Sequence, residues 1–102
     1  MDKNQAYKIA KEYTDYLKKS NPGIKRVFLF GSYTKGTVSE DSDIDLAIVF
    51  ETLANSFDMQ VELMKLRRKF DTRIEPHPFR EADFNTSNPF ANEVLTNGFE
   101  LN

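Results

Sequence analysis

Residues Phe28 to Phe50 read FLFGSYTKGTVSEDSDIDLAIVF, and the fold turns on this stretch. It opens inside an apolar run, Val27-Phe28-Leu29-Phe30, too short for a helix and without polar alternation, as a strand buried on both faces requires. Gly31 to Ser42 is polar, with Gly31 and Gly36 bounding its first half, and reads as a functional loop. Asp43 to Phe50 (DIDLAIVF) reads as a second strand. Its last five residues are apolar, so it too is placed centrally in a sheet.

Outward from this pair, the remaining elements follow from periodicity. From Asp2 to Ser20, Ala6, Ile9, Ala10, Tyr13, Tyr16 and Leu17 recur at intervals of three and four, one face of an amphipathic helix. Asn21-Pro22-Gly23 stops it. Ser56 or Asp58 is a candidate cap for a second helix running to about Lys69, with Phe57, Val61, Met64 and Leu66 or Leu63 facing inward. Asp71 to Glu75 reads as a brief third strand, closed by Pro76 and Pro78. A last helix spans Pro89 to Thr96, with Asn97-Gly98 as a left-handed stop. The order α-β-β-α-β-α predicts an α/β (α+β) domain over residues 1–102: a small mixed sheet with helices packed on one side.

The chemistry sits at the junction of loop and second strand. Side chains alternate along a strand, so Asp43 and Asp45 point to one face while Ile44 enters the core. Their Cα atoms lie about 6–7 Å apart, twice the strand rise. Two carboxylates at that spacing can converge on one hard cation or a metal pair, and a divalent ion relieves their repulsion. Gly31 allows close backbone approach to a phosphate, and the Ser32 hydroxyl can bond its oxygens. Two look-alike motifs fail. Gly31 to Gly36 has P-loop glycine spacing, but Thr37 stands where the lysine must be and a strand follows instead of a helix. Asp41, Asp43 and Asp45 mimic calcium-loop ligands, but Leu46 replaces the turn glycine and Thr52 the bidentate glutamate.

Gly31-Ser32, three residues, Gly36, then Ser42-Asp43-x-Asp45-Leu46 between two buried strands resembles the signature of the polymerase β-type nucleotidyltransferase superfamily. The match is closest to its minimal (MNT) domains. It covers about a fifth of the chain closely, and the order of elements extends it over most of the rest. The resemblance implies a polymerase β-like fold and Mg²⁺, one ion or two, on Asp43 and Asp45. It implies an NTP, ATP by preference, whose phosphates lie on Gly31 and Ser32. Lys35 and Gly36 join these nucleotide-binding candidates, Lys35 being equally readable as an exposed loop residue. A third carboxylate on a later strand completes such sites, as metal ligand or as helper of the acceptor hydroxyl. Glu75 is the candidate here, after apolar Ile74, with Asp71 as the alternative. His77, between two prolines, reads as a structural or surface residue.

Composition bounds the rest. With 39% apolar, 13% aromatic and 29% charged residues, the chain can fill one core and is not a disordered tail. A net charge of −2 argues against a protein built to hold duplex nucleic acid. The absence of cysteine excludes disulfides and thiolate metal sites. The charged N-terminus is not a secretory signal, and no apolar run reaches the roughly 20 residues that span a bilayer, so cytoplasmic residence is expected. Minimal members of the superfamily resemble the antitoxin half of two-gene modules, whose partner is a helical HEPN-domain protein. The implied acceptor is then a partner tyrosine modified by AMP. The competing reading is a non-catalytic module that neutralises a partner by contact alone. A homodimer is compatible with either.

Overall fold

A computed structural model describes residues 2–32 and 42–101. The elements run α1 (Lys3–Ser20), β1 (Ile24–Phe30), β2 (Ile44–Phe50), α2 (Ser56–Leu66), β3 (Ile74–Arg80), α3 (Pro89–Asn97) and β4 (Phe99–Leu101), with short 3₁₀ turns at Arg67–Lys69 and Glu81–Asp83. The four-stranded sheet has the order β3-β2-β1-β4. β1 pairs antiparallel with β2 and β4, while β2 and β3 are parallel, so the sheet is mixed as the element order implied.

Strand alternation divides the interior into two layers. Ile44, Leu46, Ile48 and Phe50 of β2 join Val27, Leu29 and Ile74 under α1 and α2, which supplies Leu63. Ala47 and Val49 point the other way and meet Phe28, Phe84, Ala91 and Val94. Two helices therefore share one face as expected, and α3 closes part of the opposite face. Because β1 and β2 are covered on both sides there, their continuous apolar runs are explained.

Side-chain hydrogen bonds fix the helices. Asp2 caps α1 by accepting from Gln5 N–H in a reciprocal capping box. Tyr13, fully buried, donates its hydroxyl to the Leu63 carbonyl at 2.8 Å and ties α1 to α2. Burial pushes its phenol well above the ordinary range, so the group stays a donor.

Several boundaries differ from the sequence reading. The cap of α2 is Asn55, whose side chain accepts from Asp58 N–H, rather than Ser56 or Asp58. Its inward stripe is Met59, Leu63 and Leu66, leaving Phe57 72% exposed and Val61 at the surface. Gly98 ends α3 with φ −79°, not left-handed. A glycine is needed there because a Cβ would sit 2.5 Å from the Val94 carbonyl oxygen. The short strand β4 was not anticipated. The largest difference is β3, which starts at Ile74 and continues through Pro76 and Pro78 to Arg80. This is an edge strand, and proline is tolerated where its nitrogen faces outward. Two of the outward carbonyls are occupied as well: Arg67 Nη1 donates to Ile74 O at 2.7 Å and Gln60 Nε2 to Pro76 O at 2.6 Å.

Asp71, assigned by sequence to the strand, instead shapes the turn before it. Its carboxylate accepts from Arg73 N–H, Nε and Nη2. The Arg73 side-chain hydrogen bonds hold its carboxyl below the usual range despite the opposing effect of burial. A depressed folded-state pKa stabilises above the unfolded value, and that contribution fades as pH falls through the folded value. Asp71→Ala should therefore cost on the order of 2 kcal/mol at neutral pH. It should also flatten the loss of stability below about pH 4; urea denaturation at several pH values reads both.

Candidate active site

The site lies where β1 ends and β2 begins. Gly31, directly after β1, has φ +81°, and among the described residues it is the one glycine in that region. Its α-carbon lies against the carboxylate of Asp45: a Cβ at this position would stand 2.4 Å from Asp45 Oδ2. Ser32 follows, half-buried. Lys35 and Gly36 lie outside the described residues.

Asp45 sits beside Phe30 on β1 and beside Glu75 on β3 in the ladder. All three side chains face the layer opposite α1 and α2, and Asp43 stands immediately before β2, two residues ahead of Asp45. Asp43 is exposed, whereas the Asp45 side chain retains 26% of its accessibility. The register thus brings Glu75 next to Asp45 across one strand spacing, about 4.8 Å. Its Oε1 accepts from Arg67 Nη1 at 3.4 Å, so Arg67 reaches around the sheet edge to the carboxylate.

Among the described residues no three His, Cys, Asp or Glu side chains stand close enough together to hold a metal ion. Asp45 and Glu75 share a face, with Asp43 just before β2, and the three form no closed cage. That donor set still fits Mg²⁺, which usually takes one or two carboxylates and completes its shell with substrate phosphates and water.

One neighbour of the aspartates was missed from sequence. His77 Nε2 lies 3.3 Å from Asp45 Oδ1. The sequence reading closes the third strand at Glu75, before Pro76, and so leaves His77 as a structural or surface residue. Continuing β3 at period two from Glu75 places it on the site face. Its ring lies 5.3 Å from that of Phe30 and 5.6 Å from that of Phe90, at the start of α3.

The comparisons with known proteins agree with this geometry. The family model described as polymerase beta, nucleotidyltransferase matches residues 11–101. A candidate protein adenylyltransferase of Methanocaldococcus jannaschii is 39% identical over 80 residues, covering 76% of this chain and 77% of its own. The protein adenylyltransferase MntA of Shewanella oneidensis is 28% identical over 85 residues, covering 83% of this chain and 58% of its own. Among solved structures, a candidate nucleotidyltransferase from Sulfolobus solfataricus superposes with TM-score 0.64 at 27% identity, covering 79% of this chain and 72% of that one. A Y104A mutant of the toxin–antitoxin MntA–HpeT superposes with TM-score 0.61 at 27% identity, covering 88% and 69%. With the family model matching residues 11–101 of the chain and the glycine turn, paired aspartates and mixed sheet in place, the chain belongs to the polymerase beta nucleotidyltransferase family.

Proposed function

We propose that this nucleotidyltransferase moves AMP from ATP, with Mg²⁺, onto a hydroxyl of a partner protein: the hydroxyl oxygen bonds the α-phosphorus as it loses its proton, and pyrophosphate leaves. The observation that carries the reading is the pair Asp43 and Asp45 at the head of β2, with the α-carbon of Gly31 against the Asp45 carboxylate. A triphosphate lying on the Gly31–Ser32 turn would be within reach of both carboxylates. Asp43 and Asp45 would hold the ion, which when bound offsets phosphate charge during transfer. Gly31 admits the phosphate to the backbone and Ser32 offers a hydroxyl; Lys35 and Gly36 are assigned to the same loop from sequence. Glu75, aligned with Asp45 and steadied by Arg67, assists the acceptor hydroxyl. Asp71 is left out of this role because Arg73 occupies it.

The relatives support the choice of donor and of partner. Both curated relatives are described as protein adenylyltransferases, one as a candidate, which supports AMP as the group transferred. The likeness to an MntA–HpeT toxin–antitoxin chain supports a toxin as partner. We assign it the HEPN class and place the acceptor on a tyrosine, in the cytoplasm, where ATP and Mg²⁺ are abundant. No helix among the described residues is long and apolar enough to cross a membrane.

The test is transfer of label from α-labelled ATP to a HEPN-type partner, followed by intact mass. Wild type should add AMP to the partner only with Mg²⁺, and an acceptor Tyr→Phe partner should stay unlabelled. A partner suppressed equally by wild type and Asp45→Asn, with no mass gain, would replace this reading with neutralisation by contact alone.

A further inference from the structure

Both oxygens of the Asp45 carboxylate have a neighbour, and the two neighbours differ. Oδ2 faces Gly31, where a Cβ would stand 2.4 Å away. Oδ1 faces His77 Nε2 at 3.3 Å. The imidazole is itself packed between the Phe30 ring, whose residue pairs with Asp45 in the ladder, and the Phe90 ring on α3. Phe30 and Phe90 meet at 5.5 Å edge to face, so three rings form one unit beside the carboxylate. A free aspartate in a strand can turn about χ2, a broad and roughly two-fold torsion. A hydrogen bond to one oxygen removes that freedom.

We propose that His77 is a positioning residue for the transfer reaction: it donates Nε2–H to Asp45 Oδ1 and holds Oδ2 toward the Gly31 turn. The inference rests on Asp45 serving the nucleotide site as read above. Its physical content is that the carboxylate is oriented before substrate arrives, so no torsional ordering is left for binding or for the transition state. Outer residues that hydrogen-bond a metal-binding carboxylate are worth about 10–100-fold in affinity or activity. His77 touches neither phosphate nor acceptor in this role; it acts through Asp45.

His77 is the only histidine, so its ring nitrogens can be observed without ambiguity. A long-range ¹H–¹⁵N spectrum of metal-free wild type in mildly alkaline buffer should show the proton on Nε2. Asp45→Ala should shift that nitrogen. His77→Phe keeps a ring between Phe30 and Phe90 but removes the donor, and His77→Gln restores an N–H near the Nε2 position. Calorimetry of Mg²⁺·ATP should find binding weakened about 10–100-fold in His77→Phe and largely recovered in His77→Gln. Both variants should melt within about 4 °C of wild type. A proton on Nδ1 in wild type overturns the proposal, as does wild-type affinity in folded His77→Phe. If Asp45→Asn has lost binding in that last case, the reading of the site stands and only the role of His77 falls. Should wild type itself bind no Mg²⁺·ATP, the reading of the site fails and the role of His77 fails with it.

Discussion

Replacing Asp45 by Asn is expected to lower nucleotidyl transfer by about 10³-fold, the scale seen when one electrostatic element of a reacting site is removed. The fold should be nearly untouched. Asn keeps an oxygen at Oδ1 to accept from His77 and has the same volume, so the contacts made by Ile44 and Leu46 on the other face do not change. What changes is the atom facing Gly31, where a neutral amide replaces a negative oxygen. The charge needed for Mg²⁺ is then halved at the head of β2. Stability should stay equal or rise slightly, because one of two neighbouring carboxylates has gone and active-site charges are commonly held at a cost to stability. Transfer from α-labelled ATP, a thermal melt and calorimetry with Mg²⁺·ATP separate the two effects. Unchanged transfer by Asp45→Asn would remove the aspartate pair from the mechanism.

Gly31→Ala should be as damaging by a different route. At φ +81° an L-residue is strained, costing on the order of 1–2 kcal/mol before any contact is considered. The added methyl would also begin 2.4 Å from Asp45 Oδ2, closer than the atoms can stand. Either the turn or the carboxylate must move, and both belong to the proposed nucleotide site. We expect a loss of about 1–3 kcal/mol in urea denaturation. A displacement of about 1 Å in a reacting site can cost about 10²-fold, and turnover should fall at least that far. Gly31→Ala with wild-type turnover would show that the glycine serves only the chain reversal.

The two variants probe the part of the site that was legible from sequence, and its legibility has a physical cause. Gly31, Asp43 and Asp45 belong to one short local pattern, in which alternation fixes which side chains share a face. Nothing distant is needed to read it. Glu75 was readable as an acidic residue on a later strand, but not its alignment with Asp45, which depends on the parallel register of β2 and β3. His77 was lost because Pro76 normally interrupts a strand, and only an outward-facing edge position permits it. Whether a strand lies at an edge is decided by its neighbours. The inward face of α2 was misjudged for a similar reason: Phe57 and Val61 are as apolar as Met59, Leu63 and Leu66, and the packing against α1 and β3 selects between them. The strand β4 is three residues long and is defined by pairing with β1 rather than by a pattern of its own.

The occupied outer rim of β3 also bears on how this domain behaves when crowded. Fibrillar growth needs a row of open donors and acceptors onto which the next extended segment can register. Pro76 and Pro78 offer no donors, and the acceptors of Ile74 and Pro76 are already held by Arg67 and Gln60. A molecule arriving at that flank finds no template to copy. The opposite flank, β4, offers a three-residue ladder, shorter than the six or seven residues that drive such stacking. Arg67 thus serves twice, steadying Glu75 beside the aspartates and keeping the native sheet from seeding a larger one.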